Sequence, residues 1–111
     1  MNCDRIDSER ELTELCNTVK QYAHKGDFSE CEKIICCGIG KFPHAPQPHN
    51  LMGVIFEMQG NHTDALKHFR AAWALDPTYL PARKNLNRFA SFYSNQSYVF
   101  DENDLPKEEQ K

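Results

Sequence analysis

The chain has 111 residues, the length of one domain. It is 40% hydrophobic and 26% charged, ordinary values for a soluble globular protein. Its net charge of −3 argues against a nucleic-acid binder, which needs a strongly basic face, and the longest near-apolar run, residues 34–40, is far short of a membrane span.

The polar, acidic start, Met1-Asn2-Cys3-Asp4-Arg5-Ile6-Asp7, lacks the basic opening and apolar stretch of a secretory signal. Residues 1–7 are expected to be flexible. Ser8-Glu9-Arg10-Glu11 reads as a capping box, so a first helix is expected from about residue 9. Leu12, Leu15, Val19 and Tyr22 continue it at helical spacing, and Gly26 stops it. Ser29-Glu30-Cys31-Glu32 reads as a second capping box opening a helix to about residue 41. Pro43, Pro46 and Pro48 mark the next junction. A third helix is expected from about residue 47 to residue 59, closed by Gly60. A fourth, capped by Thr63, reaches about residue 75 before Asp76-Pro77. A fifth, over about 80–93, carries Ala82, Leu86, Phe89 and Ala90 on one face. Residues 94–111 hold Asp101, Glu102, Asp104, Glu108 and Glu109 against Lys107 and Lys111, the whole net charge of the chain. They read as an acidic, mostly disordered tail.

Slid against itself by 34 residues, the chain matches. Gly26-Asp27-Phe28-Ser29 falls on Gly60-Asn61-His62-Thr63, Phe42-Pro43 on Asp76-Pro77, Tyr22 on Phe56, Cys31 on Ala65 and Ile35 on Phe69. That period describes pairs of antiparallel helices that bury their apolar faces only by stacking. The second unit resembles a tetratricopeptide repeat (TPR): Met52-Gly53, Phe56, Gly60, Ala65, Phe69, Ala72 and Pro77 stand at the positions of that family's pattern. His49 takes the place of its early large aromatic. The first unit matches at Tyr22, Gly26, Gly38 and Pro43, with Thr18-Val19 and Cys31 departing. The resemblance covers about residues 12–79. It implies an all-α fold of two tandem TPR-like helix–turn–helix repeats, about 12–45 and 46–79, plus a capping helix, about 80–93, so that residues 8–93 form the helical domain.

The resemblance also implies a concave groove lined by the first helix of each repeat. On the 34-residue period, Cys16, Asn50 and Lys84 form one column and Lys20, Val54 and Arg88 the next. Thr13, Gln47 and Pro81 lie on one side, and His24, Met58 and Phe92 on the other. The candidate peptide-binding residues are therefore Lys20, Asn50, Val54, Met58, Lys84, Arg88 and Phe92. Cations suit carboxylates and the apolar members supply affinity, so the expected partner is a protein or peptide with acidic and apolar residues. The positions that family members use to clamp chaperone C-termini hold Cys16, Lys20, Leu51, Pro81 and Asn85, which excludes that sub-function.

Five cysteines, Cys3, Cys16, Cys31, Cys36 and Cys37, are an odd number with no paired CxxC. Free thiols in a reducing cytoplasm are expected, with Cys31 packed in the core. The scattered histidines and cysteines indicate no metal site and no cofactor, and no nucleophile elbow, phosphate loop or carboxylate pair points to an enzyme. The function expected is a protein-interaction scaffold or adaptor. The alternatives are a thiol- or metal-dependent regulator using Cys36 and Cys37, and a self-assembling structural module. Phe89, Phe92 and Tyr93 suggest a fifth helix that covers its rings with the tail or with a second copy in a homodimer. Within the tail, Tyr98-Val99-Phe100 followed by Asp101 and Asp104 has the composition the groove favours. A fold-back onto Val54, Met58 and Phe92 is expected, with the acids near Lys84, Arg88 or Lys20.

Overall fold

In a computed structural model, residues 2–89 and 99–105 are described, with side chains from residue 7 to 88 and 99 to 105. The described residues form five α-helices and one 3₁₀ turn, with no strand. Helix α1 spans Asn2–His24, α2 Phe28–Lys41, α3 Gln47–Met58, α4 His62–Leu75 and α5 Leu80–Phe89, and the 3₁₀ turn spans Glu102–Asp104. The all-α expectation holds. The continuation of the fifth helix to residue 93, and the side chains of Phe89, Phe92 and Tyr93, lie outside the described residues.

The helix ends show the 34-residue period in their hydrogen bonds. Gly26 and Gly60 both have positive φ, 77° and 83°, the left-handed conformation that costs glycine least. At the first, Asp27 N–H donates to Tyr22 O at 2.9 Å and Gly26 N–H to Ala23 O at 3.0 Å. At the second, Asn61 N–H donates to Phe56 O at 2.8 Å and Gly60 N–H to Glu57 O at 3.0 Å. The next helices start alike: the Asp27 side chain accepts from Glu30 N–H, and the Asn61 side chain accepts from Asp64 N–H. Their far ends also match, Phe42 N–H bonding Gly38 O and Asp76 N–H bonding Ala72 O.

Three local expectations are corrected. Residues 2–7 belong to α1; the stretch before Ser8 contains no glycine or proline, so the helix passes through the capping box instead of starting there. Ser29 and Thr63 lie inside helices, because Asp27 and Asn61, two residues earlier, already cap them. Residues 99–105, assigned above to a mostly disordered tail, are packed: Val99, Phe100 and Leu105 are buried.

Helix α3 is the hub. It contacts α1, α2, α4 and α5, and its residues Pro48 and Asn50 to Ile55 are all buried. The core joins Val19, Ile35, Leu51, Ile55, Ala65 and Phe69, each 0% exposed. Cys31 is also in it, as expected, with its thiol near Val19 O. Gly53 lets α4 approach: a Cβ there would lie 2.5 Å from the Phe69 ring. His49, in place of the usual aromatic, is half-buried and stacks on His68 with ring centroids 5.4 Å apart; His68 in turn lies against Phe56.

Candidate peptide-binding groove

Helices α1, α3 and α5 lie side by side, with α3 touching both neighbours, and segment 99–105 crosses their shared face. The contact begins with two asparagines that are each 0% exposed, Asn50 on α3 and Asn85 on α5. A buried amide without partners is costly, and these two satisfy each other and one stretch of main chain. Asn85 Nδ2 donates to Asn50 Oδ1 at 2.9 Å. Asn85 Nδ2 also donates to Val99 O at 2.7 Å, and Val99 N–H donates back to Asn85 Oδ1 at 3.0 Å. The Asn85 amide thereby pairs with Val99 as a neighbouring strand would. Asn50 Nδ2 adds bonds to Val99 O at 3.0 Å and Phe100 O at 3.2 Å.

Side chains hold the next residues. Phe100 belongs to the same buried cluster as Cys16, Val19 and Val54, and Met58 packs against that cluster. The exposed His24 meets the Phe100 ring edge-on at 5.9 Å, and Lys20 Nζ sits 5.8 Å from its centroid. Lys20 then reaches two carboxylates, Asp104 Oδ1 at 3.0 Å and Asp101 Oδ1 at 3.4 Å. Burial opposes the charge of Lys20, but hydrogen bonds to Asp104 and Asp101 and their charges outweigh it, holding the ammonium above its ordinary pKa. The same aspartates shape the segment. Asp101 accepts from Asn103 N–H at 3.0 Å and caps the 3₁₀ turn, while Asp104 Oδ2 accepts from Phe100 N–H at 2.9 Å.

Beside this contact lies a pocket of about 280 Å³ lined by Cys16, Gln47, Tyr79, Asp101 and Asn103 among others. Gln47 Oε1 and Tyr79 OH are buried there without a hydrogen-bond partner among the described residues. Burial and, after it, the Asp101 carboxylate push the Cys16 thiol up to about 12. Burial raises the Tyr79 phenol strongly as well.

Of the seven residues chosen from sequence, Lys20, Asn50 and Val54 meet at segment 99–105, and Met58 packs beside them. Lys84 and Arg88 are half-buried on α5; Asp101 and Asp104 of the segment bond Lys20. Phe92 and Tyr98 lie outside the described residues. The column reading missed Asn85, one position beyond Lys84. Its signal was an amide among the core-spaced positions Ala82, Asn85 and Leu86 on an otherwise apolar helix face. His24 was in a column but not among the seven. In comparisons with known proteins, no family model, no curated protein and no solved structure matches this chain.

Proposed function

We propose that this protein is a cytoplasmic, non-catalytic adaptor of TPR-like architecture, which binds one extended segment of a partner protein across α1, α3 and α5. The observation that carries this reading is the use of Asn50 and Asn85, both fully buried, to bond the main chain of Val99 and Phe100. Main-chain bonds hold an extended segment irrespective of its sequence, and adjacent side-chain contacts select it. Here the selecting contacts are an apolar seat beside Val54 and a cation, Lys20. The 34-residue recurrence of caps and turns supports the repeat architecture. The four cysteines with described side chains are free, which suits a reducing compartment.

The test is photo-crosslinking. A peptide copying residues 97–107, with a photoreactive aromatic in place of Phe100, is added to the full chain at millimolar concentration. Crosslinks on α1, α3 and α5 are expected. Crosslinks on α2 and α4, or none, would overturn the reading.

A further inference from the structure

We propose that segment 99–105 is a resident competitor: it closes the groove in cis, and the external partner is a protein segment of the same pattern, apolar–aromatic–Asp–x–x–Asp–Leu. This rests on reading the α1–α3–α5 face as a protein-binding groove, and it adds the partner's chemistry and the regulation of the site.

The pattern follows from the contacts. The residue at the Val99 place gives the N–H and carbonyl that Asn85 reads. The aromatic at the Phe100 place enters the buried cluster between His24 and Lys20. An Asp at the Asp101 place caps the turn and touches Lys20, and an Asp three residues on closes the turn onto the aromatic's N–H and takes the nearer bond from Lys20. Glutamate is a methylene too long to bond its own turn this closely, so aspartate is required at both places. The apolar residue at the Leu105 place is buried. The two intervening residues, Glu102 and Asn103, are exposed.

The resident segment also leaves room for a better ligand. Gln47 and Tyr79 each keep a buried polar atom without a partner among the described residues, in the pocket beside Asn103. A partner whose intervening residues reach those atoms gains bonds that segment 99–105 does not make. Competition is decided by local concentration. A tether as short as residues 90–98 gives an effective concentration on the order of millimolar. For an intrinsic Kd of the resident segment on the order of 10 µM, closure in cis then weakens partner binding by roughly 100-fold.

The experiment uses the full chain and two opened variants, Phe100→Asp and the double change Asp101→Lys with Asp104→Lys, which reverses one buried and one exposed carboxylate. The probe is a fluorescent peptide copying residues 98–106, read by anisotropy, with helicity checked by circular dichroism. If Phe100→Asp fails to fold, the charge-reversed variant carries the test. The expected result is binding at least tenfold tighter to the opened variants than to the unaltered chain, lost when Lys20→Glu is added. Changing both aspartates of the peptide to alanine should also abolish binding. Equal binding by opened and unaltered chains overturns the resident competitor while leaving the groove standing. Binding indifferent to the two aspartates overturns the pattern. No binding to any form overturns the groove reading itself. A dimer that disappears with Phe100→Asp shows exchange between copies and overturns closure in cis.

Discussion

A methyl group at Gly53 would stand 2.5 Å from Cε1 of Phe69, a ring that is 0% exposed and has nowhere to move. Gly53→Ala therefore loses more to overpacking, about 1–3 kcal/mol, than the better helix propensity of alanine returns. Urea denaturation should show a net loss of about 1–2 kcal/mol, and a neutral result would mean that the ring gives way. Asn85 is decisive in another manner. In Asn85→Ala, Val99 N–H and Asn50 Oδ1 lose their partner while Val99 O keeps Asn50 Nδ2, at a cost of roughly 1–3 kcal/mol for each unpaired group that stays buried. Segment 99–105 should leave the face instead. Hydrogen exchange should report lost protection there, with far-UV circular dichroism nearly unchanged. Cys16 reports the same event. Its thiol is buried, raised in pKa and beside Asp101, so alkylation should label exposed Cys36 and Cys37 first. Asp101→Lys with Asp104→Lys should speed Cys16 labelling and leave Cys31 slow, since Cys31 is 0% exposed with its thiol on Val19 O and does not line the pocket beside Asp101. Equal acceleration of both would mean general unfolding.

At the scale of the element, the caps are the clearest test of the repeat. Asp27→Ala and Asn61→Ala should each cost about 1 kcal/mol, and Ser29→Ala and Thr63→Ala markedly less, as read by thermal unfolding. Serine and threonine followed by an acidic residue drew the sequence reading two places too far; the true caps are the residues that follow Gly26 and Gly60. Helices α3 and α4 also share a pH-sensitive contact. His49 Nδ1 and His68 Nδ1 are 3.2 Å apart, so one must donate while the other accepts. Burial lowers both pKa values, and for His68 the neighbouring His49 adds to the effect. A histidine lowered in the folded state takes up its proton more readily when unfolded. The pair's contribution is therefore complete above about pH 6.5 and is lost as pH falls from there through the folded values. Stability measured between pH 7.5 and 5 should drop, and His49→Phe should flatten the drop. An unchanged slope would assign the dependence to other groups.

At the scale of the molecule, the closing segment is near balance. Burying Val99, Phe100 and Leu105 contributes about 1.5–3 kcal/mol each. Fixing the backbone from 99 to 105 costs about 1–2 kcal/mol per residue, and the hydrogen bonds from Asn50 and Asn85 return about 1 kcal/mol each. The sum lies within a few kcal/mol of zero, as displacement by a partner requires. What the sequence by itself determined was everything carried by local period and local chemistry: five helices, their turns, the 34-residue recurrence, and Lys20, Asn50 and Val54 on one face. Those properties depend on residues three or four apart, or on the φ of one glycine. The sequence also paired the acids of the tail with a cation, because opposite charge and apolar composition are legible without coordinates. Only the tertiary structure decided that the cation was Lys20, that Asn85 joined Asn50, and that residues 99–105 were packed. Each of those depends on where α1, α3 and α5 bring their faces together, and a column drawn at a constant offset cannot see the one-residue shift that places Asn85 against the main chain of Val99.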